Sequence, residues 1–408
     1  MNKELIIPQT KWQQIPQSNK EFVESDTNRA FLAIADSYYS GDLSPEQIVP
    51  VGENRLVVAC DALRMYCINT ITGEMIWKIE VNFGYIEGGD FGQVCYRNGV
   101  IYAGLGGAYF TAINPENGEY LWQINCGKKK TSFSSPFLFR DDSVYFNSGD
   151  TVFCINLSTR KIVWKTKIAK KESIFRRNPV FWKNYLVYHV SNTDKHFSQE
   201  IYADKYKFYF FNIETGEIEM SKDVDNPPRI WNFQSYVTGD TLWYESENNN
   251  LYSYNLEKGE EQKIDLGDFS SWDSCFILDK DKIYTCFGLK GDKGIYCYDI
   301  LQQKFELVIS QEEFNDSLTN ITWIKIGEYL YGYCRRASDG SSEYIYRLSL
   351  VDYSLEKFRG IPPTEDDDIG EIFSGIEGFT VANGICYLSS IFDGNANEDG
   401  RTCLWAFW

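Results

Sequence analysis

One short phrase recurs along this chain with its internal spacing kept, and that periodicity limits the fold more than any other feature. An apolar strand ends in Asn, a polar turn follows, and the next strand carries Trp. The clearest copies are Tyr66-Cys67-Ile68-Asn69 to Trp77, Thr111-Ala112-Ile113-Asn114 to Trp122, and Phe153-Cys154-Ile155-Asn156 to Trp164, with Asn and Trp always eight residues apart. Looser copies are Phe210-Phe211-Asn212, Tyr252-Ser253-Tyr254-Asn255, Tyr296-Cys297-Tyr298-Asp299, Tyr346-Arg347-Leu348-Ser349 and the terminal Leu404-Trp405-Ala406-Phe407-Trp408. Repeats of 20–50 residues indicate stacked or ring architectures, because a single unit cannot bury its own apolar face.

Ahead of each copy lies a polar turn and a short apolar strand, as in Asn98-Gly99 before Val100-Ile101-Tyr102-Ala103. Asn-Gly pairs supply the positive φ angles of tight hairpins, so each repeat reads as a meander of antiparallel strands. The aromatic fraction of 16%, with 28 Tyr and 27 Phe, suits strands as well. The reading is all-β, with residues 1–408 forming a single eight-bladed β-propeller and seven blades as the alternative. The last repeat stops one strand short. Thr10-Lys11-Trp12-Gln13-Gln14-Ile15 resembles the Trp-bearing strand of the other repeats, so residues 10–15 are expected to complete the final blade. Residues 18–47 would then be a long loop before the first blade.

The phrase Ile68-Asn69-Thr70-Ile71-Thr72-Gly73-Glu74-Met75-Ile76-Trp77 resembles the tryptophan-docking repeat of quinoprotein (PQQ-like) propellers. That family includes quinone-dependent dehydrogenases and an outer-membrane assembly lipoprotein. The resemblance implies that Trp and Gly fasten neighbouring blades. Quinone-dependent members carry an adjacent Cys pair near the cofactor, and no two cysteines adjoin here. No cofactor is therefore expected, and pyrroloquinoline quinone least of all.

Net charge of −18 argues against the phosphate backbone of nucleic acid as a ligand and for a basic protein partner. Eleven Cys without a Cys-x-x-Cys pattern read as reduced thiols. No apolar run approaches a signal peptide or a membrane span, so the expectation is a cytoplasmic protein. Oligomeric state is not legible.

In a meander blade, the loop between the second and third strands and the connection to the next blade leave from the same end. Nearly all long segments sort to that end: Ser18 to Gln47, Glu80 to Phe91, Ser191 to Tyr206, Arg335 to Glu343, Gly360 to Glu371 and Phe392 to Arg401. Long loops on a rigid scaffold carry binding residues, which makes this the expected partner-binding face. Its candidates are the aromatics Phe83, Tyr85, Phe91, Phe133, Phe175, Trp231 and Trp272, beside Arg176 and Arg177. The acidic run Asp366, Asp367 and Asp368 would face a basic partner. Blade packing and solvated charge compete with these roles.

Asp393, Asn395, Asn397 and Asp399 alternate like the start of a calcium loop, but the glycine and glutamate that such a loop requires further on are missing. No metal is expected. His189 and His196 are the only histidines and lack metal-pair spacing, His189 reading as a structural strand residue. No nucleophile elbow or phosphate loop occurs, and Gly288 to Gly294 reads as a hairpin tip. The sequence thus points to a non-catalytic protein-binding propeller, one version being a bacterial immunity protein that neutralises a toxin domain. An enzyme using the channel, whether a divergent dehydrogenase or a carboxylate-based hydrolase or lyase, and an envelope-assembly scaffold remain as alternatives.

Overall fold

The computed structural model describes residues 13–14, 29–36, 48–60, 64–72, 74–80, 92–105, 109–127, 135–169, 172–174, 179–191, 206–226, 235–246, 250–264, 276–288, 293–310, 312, 319–335, 344–359, 373–382, 385–392 and 401–407. Near the start lie β1 (Gln13–Gln14) and β2 (Arg29–Asp36). One meander follows, β3 (Ile48–Val51), β4 (Arg55–Cys60), β5 (Arg64–Asn69) and β6 (Met75–Glu80). The next comprises β7 (Gly92–Arg97), β8 (Val100–Leu105), β9 (Tyr109–Ile113) and β10 (Tyr120–Asn125). Then come β11 (Leu138–Arg140), β12 (Ser143–Ser148), β13 (Thr151–Asn156) and β14 (Lys161–Lys167). A five-stranded sheet holds β15 (Ser173–Ile174), β16 (Val180–Trp182), β17 (Tyr185–Ser191), β18 (Tyr206–Asn212) and β19 (Ile218–Val224). After it are β20 (Ser235–Thr238), β21 (Thr241–Glu245), β22 (Leu251–Asn255) and β23 (Glu260–Ile264). Two further meanders are β24 (Phe276–Asp279) to β27 (Lys304–Ser310), through β25 (Lys282–Gly288) and β26 (Lys293–Asp299), and β28 (Thr319–Ile326) to β31 (Leu355–Arg359), through β29 (Tyr329–Arg335) and β30 (Tyr344–Ser349). The chain ends with β32 (Phe373–Ala382), β33 (Ile385–Phe392) and β34 (Arg401–Phe407).

Among the described residues, seven sheets are built from consecutive strands, and one more is composite, in the order β1-β2-β34-β33-β32. Its make-up corrects the expected closing strand. The strand antiparallel to β34 is β2, with Phe31 opposite Trp405, whereas Gln13 and Gln14 run parallel outside it. Residues 18–47 are therefore not a continuous loop. The physical reason is composition: Ala30-Phe31-Leu32-Ala33-Ile34-Ala35 is an apolar run suited to a sheet, while the polar Gln13-Gln14 pair suits its margin. Trp12, which suggested the earlier register, lies outside the described residues.

The repeated phrase maps onto the third strand, the turn and the fourth strand of each meander. Its Asn has a local function, accepting backbone N–H groups across the turn. Asn69 Oδ1 accepts from Ile71 N at 2.8 Å, Asn156 Oδ1 from Thr159 N at 2.7 Å and Asn255 Oδ1 from Lys258 N at 2.8 Å. Asp299 and Ser349 serve in the same way in the looser copies. Such side-chain caps explain why the position takes Asn, Asp or Ser. Asn98 and Gly99, at φ 50° and 79°, form the tight hairpin read from the sequence, and Gly288 pairs with Lys293 across another.

Contacts divide the chain into two units, residues 1–123 with 314–408, and residues 124–313. In the first, Val57, Met65, Cys67 and Trp77 of one sheet pack with Val94 and Ile101 of the next. Trp77 Nε1 donates to the Pro115 carbonyl at 2.9 Å, and its ring lies over Gly118, whose φ is +75°. In the second unit Trp164 repeats this contact, donating to the Ile213 carbonyl at 2.9 Å over Gly216. A Cβ on Gly216 would come within 2.4 Å of the ring, so glycine is required there both for φ and for space. The next seam in that unit has no such Trp. Lys222 reaches instead to the equivalent carbonyl, of Leu256, at 2.7 Å, and also to that of Glu257.

Middle strands are buried almost throughout because sheets pack on both faces, as Val144 to Ser148 of β12 show. Fourth strands alternate between exposed and covered residues, as along β14.

Candidate partner-binding face

Within each meander, strand direction separates two ends. At one end are the short hairpins and the Asn-capped turns. At the other, the second strand ends and the fourth strand leaves for the next sheet.

The expected partner-binding residues lie in the sequence between described strands. Phe83, Tyr85 and Phe91 lie between β6 and β7, Phe133 between β10 and β11, and Phe175, Arg176 and Arg177 between β15 and β16. Trp231 lies between β19 and β20, Trp272 between β23 and β24, and Asp366, Asp367 and Asp368 between β31 and β32. All of them lie outside the described residues, as do His196 and the calcium candidates Asp393, Asn395, Asn397 and Asp399. Among the described residues, no group of three or more His, Cys, Asp or Glu is placed to hold a metal ion.

The strand ends beneath these connections carry a feature that the sequence reading missed. In the unit of residues 124–313, three successive second strands finish on buried polar side chains: Asn147 and Ser148 of β12, His189 and Ser191 of β17, and Glu245 of β21. At the matching positions of two sheets in the other unit the residues are apolar or small, Ala59 of β4 and Gly104-Leu105 of β8. Aligning second strands against one another, rather than the Asn-to-Trp phrase, would have shown it.

These groups are organised locally. Asn147 N donates to Ser135 Oγ at 3.1 Å, and Ser135 Oγ lies 3.3 Å from the Tyr188 hydroxyl. Burial raises the Tyr188 pKa well above its ordinary value, keeping that hydroxyl protonated. Tyr209 donates to Glu172 Oε1 at 2.6 Å. Burial, then the Glu172 carboxylate, raise its pKa as well. The His189 ring stacks on Tyr206 with centroids 5.4 Å apart, in keeping with a structural histidine. Glu172 Oε2, Ser191 Oγ and Thr285 Oγ1 are buried and find no hydrogen-bond partner among the described residues. Ordered water or a bound group commonly satisfies such atoms.

Cys67 and Cys95 have thiols pushed up to about 12 by burial, so neither is a thiolate nucleophile at neutral pH. No helix among the described residues is long and apolar enough to cross a membrane.

Comparison with known proteins places this geometry in a family. The family model described as outer membrane protein assembly factor BamB matches residues 9–265, more than half of the chain. The crystal structure of BamB from Moraxella catarrhalis is similar over 92% of this chain and 97% of its own, at 14% identity and a TM-score of 0.50. A computationally designed protein, Ika8, is similar over 90% of this chain and 98% of its own, at 9% identity and a TM-score of 0.52. A search of curated proteins finds no match. At such identities the solved structures speak for the fold, and the family match adds the lineage: the chain belongs to the BamB family of PQQ-like repeats, and its fold is the all-β propeller.

Proposed function

We propose that this protein is a non-catalytic, protein-binding propeller whose long connections form the contact surface. The observation that carries the reading is the division between the ends of each meander, with short capped turns at one and every long connection at the other. Membership of a family described by an assembly factor supports protein binding in general terms. The finer version is a cytoplasmic bacterial immunity protein, without a quinone cofactor, that neutralises a basic toxin domain. We also propose that residues 1–408 act as one domain.

Co-expression with a toxin domain encoded beside its gene tests the immunity version. The expected result is restored growth and a complex that co-purifies. Growth unrelieved by this protein would overturn that version. Substitution of Phe175, Arg176, Trp231 and Asp366 to Asp368 in combination should weaken the complex, and full affinity in that variant would overturn the loop-end surface. A scaffold role in outer membrane protein assembly is the second reading, favoured by the family match, and co-isolation with outer membrane proteins would select it.

A further inference from the structure

The net charge of −18 conceals a strong local inversion. Residues 124–183 hold 13 Lys and Arg against 4 Asp and Glu. From totals of 40 and 58, the rest of the chain keeps 27 against 54. No acidic residue occurs from Thr151 to Lys171, a stretch containing Arg160, Lys161, Lys165, Lys167, Lys170 and Lys171.

Its described centre is β14, the last strand of its sheet, which among the described residues pairs with β13 alone. The strand alternates in burial. Ile162, Trp164 and Thr166 turn toward the neighbouring sheet, where Trp164 and Thr166 bond to Ile213 and Gly216. Lys161, Val163, Lys165 and Lys167 are exposed, Val163 by 54%. None of these three lysines makes a side-chain hydrogen bond or ion pair among the described residues. Arg140 and Lys183, by contrast, are engaged, Arg140 with the Lys183 carbonyl and Lys183 with Asp240 and Glu257. The next outer strand, β19, exposes Glu219, Ser221 and Asp223 on the corresponding row. Of these two neighbours, only β14 carries a row rich in lysine and free of acidic residues.

We propose that the free edge of β14 is a docking site for an acidic, extended segment of a partner protein, which adds to the sheet as a further strand. An edge strand presents unpaired N–H and C=O groups that template such addition. Lysines at alternate positions over about 20 Å match carboxylates at alternate positions of an extended partner. Val163, exposed at the bulge between Ile162 and Trp164, offers an apolar contact beside the lysines. A short acidic strand feels chiefly the charges within a Debye length of about 10 Å. A longer polyphosphate chain would run on into the acidic surroundings, including the β19 row, so the site favours peptide over nucleic acid. This surface is separate from the loop end and extends the reading above.

A labelled peptide, Glu-Thr-Val-Thr-Glu-Thr-Glu, titrated against the full-length protein by fluorescence anisotropy provides the test. Saturable binding is expected, weakening as salt is raised and falling about tenfold or more in the Lys165→Glu, Lys167→Glu double variant. Lys165→Gln should give an intermediate loss, and circular dichroism confirms that each variant is folded. A backbone N-methylated peptide should bind poorly, since it cannot complete the ladder. No binding by the parent peptide would overturn the proposal and leave the lysines as guards of a free edge. Equal binding of the N-methylated peptide, or tighter binding of a single-stranded oligonucleotide of the same charge, would overturn it as well. Asp366→Ala, at the loop end, should leave the peptide affinity unchanged, so failure of this site and failure of the loop-end reading are scored separately.

Discussion

Gly216 and Gly239 both adopt positive φ, yet they answer to different constraints. At Gly239 nothing lies within 4 Å of an added Cβ, so Gly239→Ala should cost only the left-handed backbone penalty, about 1–2 kcal/mol. At Gly216 the same Cβ meets the Trp164 ring, and Gly216→Ala should cost a further ~1–3 kcal/mol through overpacking. Denaturant midpoints of the two variants, read at equal slope, check the difference. Titration offers a second residue-level prediction. Burial raises the Cys95 thiol from its ordinary 9.0 to about 12, and Cys67 behaves alike. A group whose pKa rises on folding supports the folded state fully below its unfolded value and ceases to do so as pH passes its folded value. Stability should therefore fall between pH 9 and about 12, and Cys95→Ala should lessen that fall in a melting series across the window.

At the scale of elements, three described seams between sheets are fastened by a long side-chain donor reaching into the adjoining turn. Trp77 and Trp164 do this with an indole, and Lys222 does it with an ammonium. Lys222→Ala removes the donor and leaves the Leu256 and Glu257 carbonyls to water or to nothing, at an expected cost of about 1–3 kcal/mol. Lys222→Arg, which can reach the same carbonyls, should recover part of it, and thermal melts of both variants are the check. The indole seams were legible in the sequence because Asn and Trp keep their spacing. The Lys222 seam was not, because a long flexible side chain two residues further along replaces the indole without preserving any motif. For the same reason the polar ends of β12, β17 and β21 escaped notice: Asn147, His189 and Glu245 share a structural position but no chemical type.

For the whole molecule, both chain ends meet in a single sheet, with β2 covering the edge of β34. Deleting residues 1–36 would uncover the edge of β34 that faces away from β33, and exposed edges of this kind promote association. The truncated protein should elute as larger species than the full chain in size-exclusion chromatography, whereas deleting residues 1–12 should have no such effect. Charge also belongs to this scale, since a single net value hides a basic strand within an acidic chain. The expected basic partner follows from the total, and the acidic segment proposed for β14 follows from the local distribution.

Sequence alone determined the repeat, the all-β class and the place of each turn, because hairpin chemistry and Asn capping act over a few neighbouring residues. Tertiary structure decided which N-terminal segment joins the last sheet, since Arg29–Asp36 and the segment around Trp12 compete for one edge and only packing against β34 distinguishes them. It decided too which charges are engaged: Lys183 and Lys165 are chemically alike in the sequence, but among the described residues only Lys183 has acidic partners folded beside it.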